Sequence, residues 1–92
     1  MRYDWDPEKN EQLIQERDIS FEEVLVALHE GKLLDIIPHP NQKRYHGQRV
    51  YVIAIEAYIY LVPFVEDEEK VFLKTIFPSR KATKHYLLKK TT

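Results

Sequence analysis

Hydrophobic and polar positions follow two different periods along the chain. Between residues 7 and 28 and again after Pro78, apolar residues recur at helical spacing. Between residues 33 and 77 they form short runs rich in valine, isoleucine and tyrosine, which is typical of strands. Helices and strands are therefore segregated along the chain, and this order predicts an α+β fold.

A short strand and a first helix are predicted at the N-terminal end. Arg2–Trp5 is predicted to be an edge strand that Trp5 anchors in the core. Asp6 then offers an N-cap carboxylate, and Pro7 suits the first helical position. We therefore predict a helix over residues 7–17, with Leu13 and Ile14 facing inward.

A second helix follows directly. Ser20-Phe21-Glu22-Glu23 matches a capping box, in which the serine and the second glutamate satisfy each other's backbone N–H groups. Ile19 before it and Val24 after it are placed as a hydrophobic staple. Gly31 is predicted to end the helix. One apolar stripe is expected from Phe21, Val24, Leu25 and Leu28.

Four strands are predicted in the middle of the chain. Two of them form a hairpin around Glu56-Ala57, and Pro38–Asn41 favours a turn. The acidic run Glu66–Glu69 is expected in a solvated turn, because like charges repel in a buried site. The predicted strands are Leu33 to Ile37, Arg49 to Ile55, Tyr58 to Phe64 and Val71 to Phe77.

A closing helix is predicted after Pro78-Ser79, which ends the last strand and supplies an N-cap. The helix should run from Arg80 to about Lys89, with Ala82, Tyr86 and Leu87 as its packing face. Residues 1–92 are thus expected to form one domain. Its predicted architecture is an antiparallel curled sheet of four or so strands, packed on two N-terminal helices and one C-terminal helix.

Composition agrees with one folded domain and excludes several chemistries. The chain has 92 residues, of which 43% are hydrophobic and 32% charged. It has no cysteine, which excludes disulfides, thiolate nucleophiles and cysteine-ligated zinc. Its four histidines are scattered without a ligand spacing, so we predict neither a metal site nor a cofactor.

The longest apolar run does not predict a membrane span. It extends from Val50 to Val65, contains Glu56, and is shorter than the ~20 residues of a membrane helix. The N-terminus lacks the basic-then-apolar order of a secretory signal. A cytoplasmic protein is therefore expected.

Charge is distributed unevenly, although the net charge is only −1. Residues 1–35 contain ten acidic and four basic residues, a net charge of −6, and residues 36–73 have a net charge of −1. Residues 74–92 contain six basic residues and no acidic one, a net charge of +6. This pattern predicts a basic face that can bind phosphate, and the alternative is a solvated basic tail.

Three stretches of the chain resemble a known family. Trp5–Asn10, Ile19–Val24 and Pro78–Lys84 are similar, in order and spacing, to signature stretches of BrnT-type toxins. The resemblance implies a RelE-like fold and a ribonuclease toxin of a type II toxin–antitoxin system. It also implies a neutralising antitoxin, usually with a ribbon-helix-helix domain, and the basic C-terminal half predicts that this partner contributes an acidic contact segment.

Metal-free cleavage of RNA requires a group for the 2′-hydroxyl proton, cations for the phosphorane and a proton for the 5′-oxygen. Lys74 and Arg80 match basic positions of the family's terminal stretch, and the resemblance therefore implies that they are catalytic. His46 and His85 are candidates for proton transfer, since a histidine titrates near neutrality. A surface-loop role is the alternative for His46. Further cations predicted to bind RNA are Arg44, Arg49, Lys81 and Lys84.

Two other functions stay open at this point. Members of the family commonly have His-Gly before the second stretch, where this chain has Arg17-Asp18. This difference favours a non-catalytic protein-binding module that kept the toxin fold. A toxin that acts on a protein target such as a gyrase is the third possibility.

Overall fold

Residues 2–88, which the computed structural model describes, form six strands and three helical segments. The last of these segments is α-helical at its start and π-helical afterwards, and we call the two together the C-terminal helix. Within these residues no helix is both long and apolar enough to cross a membrane. The elements are β1 (Arg2–Asp4), α1 (Pro7–Arg17), α2 (Phe21–His29), β2 (Leu33–Pro38), β3 (Arg49–Ile55), β4 (Tyr58–Glu66), β5 (Lys70–Leu73), β6 (Phe77–Pro78), α3 (Arg80–Thr83) and the π-helical turn Lys84–Leu88.

The α+β prediction is confirmed, but the sheet is mixed and has more strands than expected. Its order is β1-β5-β4-β3-β2, with β6 also paired to β4. Strands β2 to β5 pair antiparallel, whereas β1 runs parallel to β5, with Tyr3 opposite Val71. The prediction of a wholly antiparallel sheet was wrong, because the alternation of side chains does not encode which strand lies beside a short N-terminal segment.

The last predicted strand is interrupted by a β-bulge. From Leu73 to Phe77 the chain advances four residues, while its partners on β4 retreat only three, from Phe64 to Leu61. One extra residue is therefore accommodated between β5 and β6, and it reverses the inward and outward alternation. As a result Ile76 is fully buried instead of facing away from the core.

Helices cover both faces of the sheet. The front face packs against α1 and α2, and the back face packs against the C-terminal helix, which bonds to β4 through Ile59. Val50, Val52 and Ile59 are buried on the back face. The front core consists of Leu13, Ile19, Phe21, Val24, Ala27, Tyr51, Ile53, Val62, Phe64, Val71, Leu73 and Ile76.

The two N-terminal helices are joined through a buried polar side chain. Asn10 of α1 accepts a hydrogen bond from the Phe21 N–H at 2.7 Å and donates one to Glu22 Oε1 at 2.8 Å. The predicted capping box is present, since the Ser20 side chain and the Glu23 carboxylate bond to each other's backbone N–H groups. The inward prediction was correct for Leu13 and wrong for Ile14, which is 40% exposed because α1 buries only a narrow stripe.

Two turns use left-handed residues other than glycine. Glu56 and Ala57 have φ angles of 50° and 64°, and they connect β3 to β4 by the predicted two-residue hairpin. Two successive positive φ angles are typical of the type I′ turn that matches the twist of a hairpin. Asp18 also has a positive φ angle, 55°, and it ends α1 as a left-handed C-cap.

The outer edge of β2 presents few free backbone donors. The Ile36 N–H bonds to the Asp35 side chain at 2.8 Å. Pro38 has no N–H. The His39 N–H donates to the Gln48 carbonyl on the side of β3. Inward-facing and outward-facing N–H groups alternate along an antiparallel strand, so residues 36 and 38 occupy outward-facing positions.

Candidate functional site

The C-terminal helix is attached to the back of the sheet by Thr83. This residue is buried, and its hydroxyl accepts a hydrogen bond from the Ile59 N–H at 2.8 Å. The same hydroxyl donates to the Ser79 carbonyl at 2.8 Å, and the Ser79 N–H donates to the Ile59 carbonyl at 2.9 Å. These three bonds hold the start of the helix at one position on β4.

Further contacts hold the two ends of the helix. Ser79 is the predicted N-cap, and its Oγ accepts a hydrogen bond from the Ala82 N–H at 3.0 Å. At the other end the Tyr86 hydroxyl donates to Asp35 on β2 at 2.9 Å. Burial raises the pKa of Tyr86, and the bond to Asp35 raises it further. The predicted packing residues Ala82, Tyr86 and Leu87 are half-buried, and the predicted end near Lys89 lies outside the described residues.

Cationic side chains of this helix face solvent. Arg80, Lys81 and Lys84 are exposed, and their side chains make no hydrogen bond or ion pair within residues 2–88. Lys81 and Lys84 line one shallow depression together with His85 and Leu88. His85 and Lys81 thus share one surface. This group, with Arg80 and Lys74, is called the basic surface below.

Lys74 lies on the same face of the sheet. Its ammonium is 5.5 Å from the ring centroid of Phe72, whose side chain faces the back. The Lys74 N–H bonds to the Pro63 carbonyl, and the Ser79 N–H bonds to the Ile59 carbonyl, four residues away on β4. At ~3.3 Å per residue these two anchors are about 13 Å apart. Lys74 and Arg80 could therefore contact one phosphodiester only if both side chains are extended.

Three predicted residues lie elsewhere in the described part of the chain. Arg49 forms an ion pair with Glu66 and lies 5.2 Å from the Phe64 ring centroid, on the front face. Arg44 and His46 are exposed in the loop between β2 and β3, where the Arg44 guanidinium lies 5.6 Å from the Tyr45 ring centroid. None of the three makes a hydrogen bond, ion pair or ring contact with the C-terminal helix.

Acidic and histidine side chains occur at several places in residues 2–88. No group of three or more of them is positioned to hold a metal ion. The basic surface presents ammonium, guanidinium and imidazole groups. These groups bind phosphate, stabilise negative charge and transfer a proton.

Two positioning residues were not identified from the sequence. Thr83 is a polar residue within the basic segment, and Asp35 is distant in sequence from Tyr86. Thr83 follows the Ser79 cap by four residues, a spacing at which a threonine can bond back to a carbonyl, and this was the available signal.

Replacing Thr83 with valine is expected to lower the free energy of unfolding by about 1–3 kcal/mol, because the buried Ile59 N–H loses its acceptor. Urea denaturation measures the change. Thr83→Ser is the matched control, since it keeps the hydroxyl, and it should stay closer to the wild type. A valine variant as stable as the serine variant would contradict the proposed role of this hydroxyl.

Searches of protein-family models, of curated proteins and of solved structures found no match to this chain.

Proposed function

We propose that this chain is the toxin of a type II toxin–antitoxin system, a metal-independent endoribonuclease that cleaves messenger RNA in the cytoplasm and arrests growth. The observation that supports this most is the basic surface on the C-terminal helix. Its lysines and arginine face solvent without acidic partners in residues 2–88, although the chain as a whole has a net charge of −1. The resemblance to BrnT-type toxins supplies the reaction.

RNA binding follows from the charge of this surface. Exposed ammonium and guanidinium groups that are not paired within the protein can replace the counterions of a phosphate backbone. Residues 74–88 contain no acidic side chain that would repel the phosphates. The contact is with the backbone, so binding should depend strongly on salt and weakly on base sequence.

Cleavage proceeds by attack of the 2′-oxygen on the adjacent phosphorus. The His85 imidazole, which shares one depression with Lys81 and Lys84, accepts the 2′-hydroxyl proton. Lys74 and Arg80 stabilise the negative charge of the phosphorane. The bond from phosphorus to the 5′-oxygen then breaks, and the 5′-oxygen takes a proton from solvent. The products are a 2′,3′-cyclic phosphate and a 5′-hydroxyl end.

His85 is preferred to His46 as the proton acceptor. His85 shares its surface with two cations, whereas His46 lies in the exposed loop between β2 and β3. The π-helical turn that carries His85 supports this choice, because π-helical segments are rare and occur frequently at functional sites.

An antitoxin with an acidic segment would cover the basic surface. Such a segment would pair with the cations and exclude RNA at the same time. The resemblance implies a ribbon-helix-helix antitoxin, and we propose this partner for the chain.

The test is incubation of the purified protein with a single-stranded RNA in the presence of EDTA. We expect cleavage with cyclic phosphate ends, and no cleavage of the same oligonucleotide carrying 2′-deoxy sugars, because the nucleophile is then missing. Cleavage of the deoxy oligonucleotide would overturn the mechanism. Absence of RNA cleavage, together with normal growth after expression in a bacterium, would overturn the proposal in favour of a protein-binding module. Growth arrest with intact cellular RNA would favour a protein target.

A further inference from the structure

A second charged surface lies on the opposite face of the molecule. It is a groove of about 310 Å³ between α2 and the hairpin turn that joins β3 to β4. Its rim carries four glutamates, Glu22, Glu23, Glu30 and Glu56, against one lysine, Lys32. Val26, which also lines the groove, is 56% exposed. We call it the acidic groove.

The glutamate side chains of this groove are exposed. The hydrogen bond from Asn10 is the main cause that lowers the pKa of Glu22. Within residues 2–88 the side chains of Glu30 and Glu56 make no hydrogen bond or ion pair. The unpaired carboxylates of Glu30 and Glu56 lie in the same groove as the exposed Val26 side chain. A cationic amphipathic segment can complement both features.

The chain itself contains a segment of this kind. The C-terminal helix presents Lys81 and Lys84 beside Leu88, which is 62% exposed. Within residues 2–88 the two elements have the same number of helical residues, since α2 has nine and the C-terminal helix has four α-helical and five π-helical residues. Each surface thus combines one exposed aliphatic side chain with several charges, of opposite sign in the two cases.

We propose that the acidic groove of one copy of this chain binds the C-terminal helix of a second copy. The two surfaces lie on opposite faces of the sheet. A single symmetric contact between two copies therefore cannot use the acidic groove and the C-terminal helix of both. The association is therefore head-to-tail, and it adds further copies as the concentration rises. Two short helix faces bury less than the ~1,200 Å² of a standard interface, so the association is weak and reversible.

Self-association covers the same basic surface that we propose for RNA. If that function holds, RNA competes with the acidic groove for Lys81 and Lys84, and self-associated copies are inactive until RNA displaces them. This consequence rests on the proposed function. The proposed self-association does not rest on that function, because it is measured without RNA.

The experiment is sedimentation velocity of the full chain over a range of protein concentrations. We expect the weight-average mass to rise with concentration, and to fall back to that of the monomer when salt increases from about 0.1 M to about 1 M. That change shortens the Debye length from about 10 Å to about 3 Å. A wild-type protein that remains monomeric at every concentration, or whose association does not respond to salt, would overturn the proposal.

Charge-reversal variants identify the surfaces. Glu30→Lys with Glu56→Lys makes both surfaces basic, and Lys81→Glu with Lys84→Glu makes both acidic. Each double variant alone should weaken self-association at least about tenfold, and an equimolar mixture of the two should restore it. All four positions are exposed, so both variants should fold. Two variants that still self-associate, or a mixture that does not, would exclude these surfaces.

Discussion

Replacement of Phe21 with alanine is expected to lower the free energy of unfolding by about 3–5 kcal/mol. The ring is fully buried where α2 meets the front face of the sheet, and the Trp5 ring stacks on it with a centroid distance of 5.5 Å. Alanine would leave a cavity that β1, α1 and α2 cannot fill without moving. Domains of this size are stable by about 5–14 kcal/mol, so the variant should be close to unfolding at moderate temperature. Urea denaturation at 25 °C measures the change.

Val26→Ala is the matched control for this prediction. It removes apolar atoms from the same helix, but at a position that is 56% exposed, so the expected change is within about 0.5 kcal/mol. Equal destabilisation by the two substitutions would show that α2 is not packed on the sheet as described.

The double substitution Lys74→Ala, Arg80→Ala is expected to lower kcat/KM for RNA cleavage by at least about a hundredfold. Both side chains lie on the back of the sheet and form no ion pair in residues 2–88. Both are proposed to stabilise the phosphorane. Because they are exposed, their loss should change the melting temperature little. Single-turnover kinetics with a labelled RNA, together with thermal denaturation, separates the two effects.

The control removes the same amount of charge from another part of the molecule. Lys9→Ala with Lys32→Ala also deletes two cations, and neither side chain forms a hydrogen bond or ion pair in the described residues. This variant should retain cleavage within a few-fold of the wild type. Equal losses in both double variants would mean that net charge, rather than the positions of Lys74 and Arg80, determines the rate.

Local signals predicted most of the elements, because their causes lie within a few residues. Asp6-Pro7 and the capping box starting at Ser20 set the beginnings of α1 and α2, and Ser79 caps the last helix as expected. The hairpin around Glu56-Ala57 was also correct, although neither residue is a glycine. In each case a short-range hydrogen bond or turn geometry decides the structure.

Features that depend on distant residues were not predictable in the same way. The parallel pairing of β1 with β5 joins residues almost seventy positions apart, and nothing in the three residues of β1 specifies that neighbour. The bulge before Phe77 shifts the alternation by one position, so a strict period of two misplaces Ile76. Alternation reports which residues are apolar, but not where a strand gains an extra residue.

The candidate site shows the same division. Lys81, Lys84 and His85 lie on one predicted helix, and the structure places them in one depression. Arg49 was predicted to bind RNA from its charge alone, and in the structure it pairs with Glu66 on the front face. Only the register between β3 and β4 reveals which face Arg49 occupies, and that register is a property of the folded sheet.

The edge of β2 has a consequence for how this protein behaves at high concentration in a cell. A flat strand with exposed Leu34 and Ile36 could recruit further strands and form insoluble fibrils. Here the Asp35 carboxylate occupies the Ile36 N–H, and Pro38 offers none, so an incoming strand finds few donors. The protein can thus remain dispersed at high concentration, and the proposed contacts between copies use charged helix surfaces that separate again on dilution.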